Sequence, residues 1–177
     1  MSRRLPRELS IDVERIHRAP VEAVIALGAN LGDRGATLIA AVDEMRRMPL
    51  VDRVRVSDVV ESVAMKPGGP DADAPTYFNA VAIVTTRLAP SVLLAYLQAI
   101  EDRHGRERRE RWDDRTLDLD IVAYGDVRSG DPRLVLPHPR AAGRDFVLVP
   151  WLSLDPDAEL PGAGRVDDLL ARLRASA

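Results

Sequence analysis

The chain has 177 residues, 46% of them apolar, and no cysteine, which is enough for one globular domain with a buried core and excludes a disulfide framework or thiolate zinc site. Its three histidines, His17, His104 and His138, are scattered and lack the short spacing of a zinc cluster. A net charge of -3 argues against a nucleic-acid coat, and a charged N-terminal stretch without long apolar runs argues against export or membrane spanning, so the cytoplasm is the expected place.

Residues 1–20 are polar and contain two prolines, which predicts a flexible arm ahead of a single domain over 21–177. Val24 to Leu27 form a short apolar run closed by Gly28, and Asn30, Gly32, Asp33 and Gly35 follow as a loop. The stretch from Gly28 to Asp33 lacks the ending of a phosphate-binding P-loop and does not fit GxGxxG, so it reads as a structural strand-to-loop turn. From Thr37 a helix is expected, with Leu38, Ala41, Val42 and Met45 on one stripe and Pro49 as its bound.

Val54, Val56, Val59 and Val60 mark one extended segment up to Ser62, and Phe78 to Thr86 mark another, with an irregular connection KPGGPDADAP between them. Pro90 opens a second helix through His104, with Leu93, Leu97, Ile100 and His104 along one side and Gly105 as its stop. A charged loop then leads to a strand from Leu117 to Tyr124, and a last helix carries Val166, Leu169, Leu170 and Leu173. The order β-α-β-β-α-β predicts an α+β fold of ferredoxin-like type with a mostly antiparallel sheet and additional C-terminal elements. In such a fold both crossover helices cover one sheet face, which leaves the other for a site or for the extra elements.

In Thr116-Leu117-Asp118-Leu119-Asp120-Ile121, strand alternation sends the apolar residues to one face and both aspartates to the other, roughly 7 Å apart along the backbone. Side-by-side carboxylates suit Mg²⁺, a hard cation that completes its shell with water and phosphate oxygens. An isolated DxD is more often a wet strand face, so its neighbours decide. Only Lys66 is a lysine in this chain, so arginine is the default cation and its presence alone says little. Its clustering does: Arg106, Arg108, Arg109, Arg111 and Arg115 stand with Trp112 immediately before the strand, and guanidinium forks grip phosphate oxygens bidentately. Cations on a loop beside a metal site are what transfer of a charged phosphorus group requires. Tyr77, Asn79 and Phe146 together offer an amide and two rings for a planar heterocycle.

Read in order, ALGANLGDR, YFNAV, QAIE, GRERRERW, RTLDLDIVAYGD, LPHPR and RDFVLVPW resemble the 6-hydroxymethyl-7,8-dihydropterin pyrophosphokinase family of folate biosynthesis, over about Val24 to Trp151. The resemblance implies transfer of diphosphate from ATP to the pterin hydroxymethyl oxygen with two Mg²⁺ ions, giving AMP and the pterin diphosphate. By motif it implies that Asp118 and Asp120 hold metal and that Arg106 and Arg115 assist the transfer. Gln98, Glu101, Arg108, Arg111, Trp112, Ile121, Arg133, His138 and Arg144 are implied around ATP. Tyr77, Asn79 and Phe146, with backbone at Ser62 and Val63, are implied around the pterin. Three departures stand out: Asp113-Asp114 where the family often has Gly-Pro, Ala29 where serine is usual, and the wall from Ser62 to Lys66.

Two other classes compete with this reading. A palm-type nucleotidyl transferase also pairs carboxylates on a βαββαβ sheet but releases pyrophosphate. A ferredoxin-like RNA-binding module requires strand aromatics and a basic sheet face, which 4% aromatics and two strand aspartates oppose. The expected partners are therefore ATP and the pterin, with no nucleic acid and no membrane, and the expected assembly is a monomer.

Overall fold

The computed structural model describes residues 19–66, 69–71, 75–105 and 116–176, with backbone alone for 64–66 and 69–71. The first strand, β1 (Val21–Ala29), runs through the middle of the sheet and is followed by α1 (Arg34–Arg46). That helix starts three residues ahead of the expected Thr37 because Asp33 caps it, its Oδ1 accepting from the Ala36 N–H at 3.0 Å. Leu38, Ala41, Val42 and Met45 are its buried stripe, as their spacing predicts.

The expected single extended segment before Ser62 is two strands, β2 (Val51–Val56) and β3 (Val60–Ser62). Ser57 interrupts them by turning its hydroxyl to the Val81 N–H at 3.0 Å. The connection expected to be irregular contains a small hairpin of β4 (Ala64–Lys66) and β5 (Gly69–Asp71). Next come β6 (Tyr77–Thr86), α2 (Pro90–Arg103) and β7 (Asp118–Tyr124). Pro90 occupies the first turn of α2, and Gly105 beyond its end takes a φ of 78° that other residues adopt only with strain.

The sheet order is β2-β6-β1-β7 with β3 also on β6, and every pairing is antiparallel. This is the ferredoxin-like arrangement expected from the element order. Past β7 the chain forms the hairpin β8 (Ser129–Asp131) and β9 (Leu134–Leu136), a 3₁₀ turn over Ala141–Gly143, and α3 (Asp145–Leu154). A two-residue ladder of β10 (Glu159–Leu160) and β11 (Gly164–Arg165) then leads into α4 (Val166–Ala175).

Alternation along the strands builds two cores. On the back face, Ala23, Ile25, Leu27, Ala82, Val84, Leu119 and Ile121 pack under α1 and α2. On the front face, Val24, Val81, Ile83, Val122 and Ala123 pack under α3 and α4, with Trp151 and Leu148 contributing the largest buried groups. The face left open by the βαββαβ pattern is thus covered by the C-terminal elements, but only over part of its length. Gly28, Asn79 and Asp118 lie on the front face beyond the end of that second core.

Candidate active site

Strand register lines up the uncovered part of the front face. Gly28 pairs with Asp118 on one side and with Asn79 on the other, and Asn79 pairs in turn with Val60. Adjacent strands stand about 4.8 Å apart, so the Asp118 carboxylate and the Asn79 amide rise from one row about 10 Å apart. Glycine sits between them: a Cβ at Gly28 would lie 3.5 Å from Asn79 Oδ1 and 3.8 Å from Tyr77 Cδ1, so any longer side chain would fill the gap. Gly28 belongs to β1 and is not the strand-to-loop turn expected of it. Its place in the row depends on pairing between distant segments, which local pattern does not reveal.

On the β7 side, Leu117, Leu119 and Ile121 are buried in the back core while Asp118 and Asp120 face forward. Two cationic or hydrogen-bonding groups reach Asp120 Oδ2, His138 Nε2 at 3.6 Å and Arg144 Nη1 at 3.6 Å. His138 Nδ1 accepts from the Arg140 N–H at 3.1 Å, an arrangement that assigns the ring proton to Nε2, the nitrogen turned toward Asp120. Burial, reinforced by the charges of Arg144 and Arg140, lowers the His138 pKa despite the opposing aspartates, which favours the neutral ring. Burial also lowers the Arg144 pKa, with Arg140 acting in the same sense and Asp120 and Asp118 against it, and the guanidinium stays charged. Arg140 was not among the residues singled out from sequence.

Among the described residues no cluster of three or more carboxylate or imidazole groups could enclose a metal ion. What the front face offers is an adjacent pair of carboxylates, a donor set suited to Mg²⁺ that keeps waters and borrows phosphate oxygens from a substrate.

A cleft of about 280 Å³ opens at the outer side of β7, the edge strand, between α2 and the β8–β9 hairpin. Gln98, Glu101, Asp120, Ile121, Arg133 and His138 all border it. Glu101 is 1% exposed, and its Oε1 accepts from the Leu119 N–H at 2.8 Å, so α2 fixes the strand position midway between the two aspartates. Arg133 stands at the rim, its guanidinium held to Asp131 at 2.9 Å, and that pairing raises its pKa.

On the β6 side, Asn79 is buried and its Nδ2 donates to Ser62 Oγ at 2.8 Å and to the Tyr77 carbonyl at 3.4 Å. Ser62 and Tyr77 are cross-strand partners, and Val63 next to Ser62 is exposed. α3 lies over β6 and β3, and its first turn carries Phe146, whose ring centroid is 5.6 Å from Arg144 Cζ. Arg144 therefore joins the Phe146 end of the site to Asp120. The structure thus brings Asp118, Asp120, Gln98, Glu101, Ile121, His138 and Arg144 to one side of Gly28, and Ser62, Tyr77 and Asn79 to the other. Arg106, Arg108, Arg111, Trp112 and Arg115, as well as Asp113 and Asp114, lie outside the described residues.

Residues 24–156 match the model of one family, described as 7,8-dihydro-6-hydroxymethylpterin-pyrophosphokinase. The chain belongs to this family. Among its relatives is the 2-amino-4-hydroxy-6-hydroxymethyldihydropteridine pyrophosphokinase of Pseudomonas aeruginosa, 44% identical over 147 residues, or 83% of this chain and 88% of that one. The enzyme of the same name from Haemophilus influenzae is 40% identical over 150 residues, or 85% of this chain and 91% of that one. The fold recurs in solved structures of HPPK-DHPS, where HPPK abbreviates the same pyrophosphokinase. A complex with substrates superposes with a TM-score of 0.64 at 11% identity, over 89% of this chain and 44% of that one. The wild-type Plasmodium falciparum protein superposes with a TM-score of 0.63 at 13% identity, over 88% of this chain and 41% of that one. The chain spans less than half of those HPPK-DHPS chains. Family membership also disfavours the palm-type and RNA-binding readings of the same fold.

Proposed function

We propose that this protein transfers the terminal diphosphate of ATP to the hydroxymethyl oxygen of 6-hydroxymethyl-7,8-dihydropterin, with Mg²⁺ held by Asp118 and Asp120. The observation that carries the reading is the row Asp118–Gly28–Asn79: a carboxylate site for phosphate-bound metal and an amide-lined slot share one sheet face across an open glycine. The names borne by the pterin pyrophosphokinase relatives point to the pterin as the acceptor of a diphosphate group, and ATP as its donor follows from the family resemblance.

In this reading the pterin ring lies against Tyr77 and Phe146, the Asn79 amide meets its polar edge, and backbone at Ser62 and Val63 closes the wall. ATP lies in the cleft by Gln98, Glu101, Ile121, Arg133 and His138. Asp118 and Asp120 would hold the two Mg²⁺ ions, which would supply charge neutralisation and orientation to the transferred phosphates. The pterin oxygen attacks the β-phosphorus in line, the bond from that phosphorus to the α,β-bridging oxygen breaks, AMP departs with the bridging electrons, and the hydroxyl proton passes to solvent. Arg144, fixed beside Asp120, keeps a positive charge next to the carboxylates, while neutral His138 offers an Nε2–H donor to an oxygen in the cleft. Arg106 and Arg115, with Arg108, Arg111 and Trp112, are assigned to the transfer and to cover over the nucleotide through the family motif. The enzyme is read as a cytoplasmic monomer; no helix among the described residues is long and apolar enough to cross a membrane.

The test is incubation with ATP, Mg²⁺ and the hydroxymethyl pterin. AMP is the expected product, and pyrophosphate release would instead support a nucleotidyl transferase. Asp118→Ala or Asp120→Ala should each lower kcat by at least about a hundredfold, the scale of losing a preorganised charge at a transition state. Full activity in either variant would remove the carboxylates from the mechanism.

A further inference from the structure

Arg34 opens α1 on the back of the sheet, and its guanidinium has four partners there. Its Cζ stacks 3.8 Å from the centroid of the Phe78 ring. Nη1 donates to the Thr76 carbonyl at 2.7 Å, to Thr76 Oγ1 at 2.7 Å and to Glu61 Oε1 at 3.3 Å. The Thr76 hydroxyl closes the ring of contacts by bonding Glu61 Oε1. The guanidinium therefore joins three separate segments: the start of α1, strand β3, and the entry to β6.

Alternation gives this cluster a consequence for the other face. Glu61 and Phe78 are cross-strand partners and face back, whereas their immediate neighbours Ser62 and Tyr77, also partners, face forward with Asn79. β3 has only three residues and, among the described residues, no strand beyond it, so its own ladder is marginal. The Asn79–Ser62 hydrogen bond on the front relies on β3 staying in register.

We propose that Arg34 is a positioning residue for the pterin slot, clamping β3 and the start of β6 from behind so that Ser62, Tyr77 and Asn79 keep their front-face geometry. This rests on the assignment of those residues to the pterin. Arg34 touches neither substrate, and its effect passes through Glu61, Thr76 and Phe78. The ion pair is partly exposed, with side-chain exposures of 25% and 55%, so its share of global stability is small. Its weight falls on local position.

The experiment compares the full chain with Arg34→Ala, Arg34→Lys and Glu61→Gln by steady-state AMP formation, thermal midpoint and backbone amide exchange. Arg34→Ala should raise the KM for the pterin about tenfold while the KM for ATP moves less than about twofold. Amides of 60–62 and 76–79 should exchange at least about tenfold faster, and those of β1 and β7 at the original rate. Arg34→Lys keeps the charge but not the planar fork and should recover part of the pterin KM; Glu61→Gln should raise it about threefold. An unchanged pterin KM in Arg34→Ala overturns the proposal, whether or not the amides respond. So does a parallel rise of both KM values with a fallen thermal midpoint, the mark of a merely structural residue. A wild type that forms no AMP with the pterin overturns the functional reading and the substrate assigned to the clamp, and the exchange data then still report whether Arg34 holds β3.

Discussion

The same strands make both faces of the central sheet, and the two faces carry opposite demands. Behind β7, Leu117, Leu119 and Ile121 are closed in under α1 and α2. One residue along in each case, Asp118 and Asp120 face forward where the second core has ended. The back is held by packing, which is stiff and intolerant of lost volume. The front at this end is held by polar contacts across gaps of 3.6 Å and by an open glycine, an arrangement that keeps room for ligand. Adjacent substitutions should therefore separate stability from chemistry.

The largest expected effect on folding comes from the back. Leu119 is 3% exposed, so Leu119→Ala should cost about 3 kcal/mol from lost burial plus the cavity left behind. Denaturant unfolding measures it, and a cost under about 1 kcal/mol would mean that the core under β7 collapses around the gap. Asp118→Ala, one position away, should leave the unfolding midpoint close to that of the wild type, because a forward-facing acid contributes little to packing. An equal loss in both variants would erase the contrast between the faces.

A middle-sized effect should come from the gap itself. Gly28→Val places two methyl groups beyond a Cβ already 3.5 Å from Asn79 Oδ1, without disturbing the back core. The pterin KM should rise about tenfold or more, with ATP affinity changed far less, since the cleft proposed for the nucleotide lies on the far side of β7. Parallel loss of both affinities would show that Gly28 serves the strand rather than the space.

The contrast between faces was legible in the sequence because alternation is local: six residues from Thr116 to Ile121 suffice to send two carboxylates one way and three apolar chains the other. The element order was legible for the same reason, since each helix stripe and strand run spans one segment. Register was not. That Gly28 stands between Asp118 and Asn79 depends on pairing among segments about fifty and ninety residues apart, which no local pattern encodes. The cover of α3 and α4 over the front core likewise depends on where the C-terminal elements return. Small boundary errors had chemical causes: Asp33 starts α1 at Arg34, and Ser57 splits one expected strand into two. The arginines and Trp112 of the charged run were legible as motif, although they lie outside the described residues.

The smallest expected effect concerns the contact between the two back-face helices. Glu44 on α1 accepts from Arg103 Nε at 2.7 Å and stands 2.8 Å from His104 Nε2 at the end of α2. Burial pushes the Glu44 carboxyl up, but the hydrogen bonds and charges of Arg103 and His104 outweigh it and hold the pKa below the ordinary 4.5. A carboxyl depressed in the folded state contributes stability above its unfolded pKa and loses that contribution as pH falls through the folded value. Glu44→Gln should therefore be less stable than the wild type by about 0.5 kcal/mol at pH 7, a typical value for a partly exposed ion pair. The difference should stay level down to about pH 5 and shrink toward zero below pH 4. Because His104 immediately precedes Gly105 and the arginine-rich run in sequence, the variant also tests whether that anchor matters for catalysis. Unchanged kcat with the pH-dependent stability loss would confine Glu44 to joining the helices, whereas a lower kcat at full fold would extend the back face's influence to the chemistry on the front.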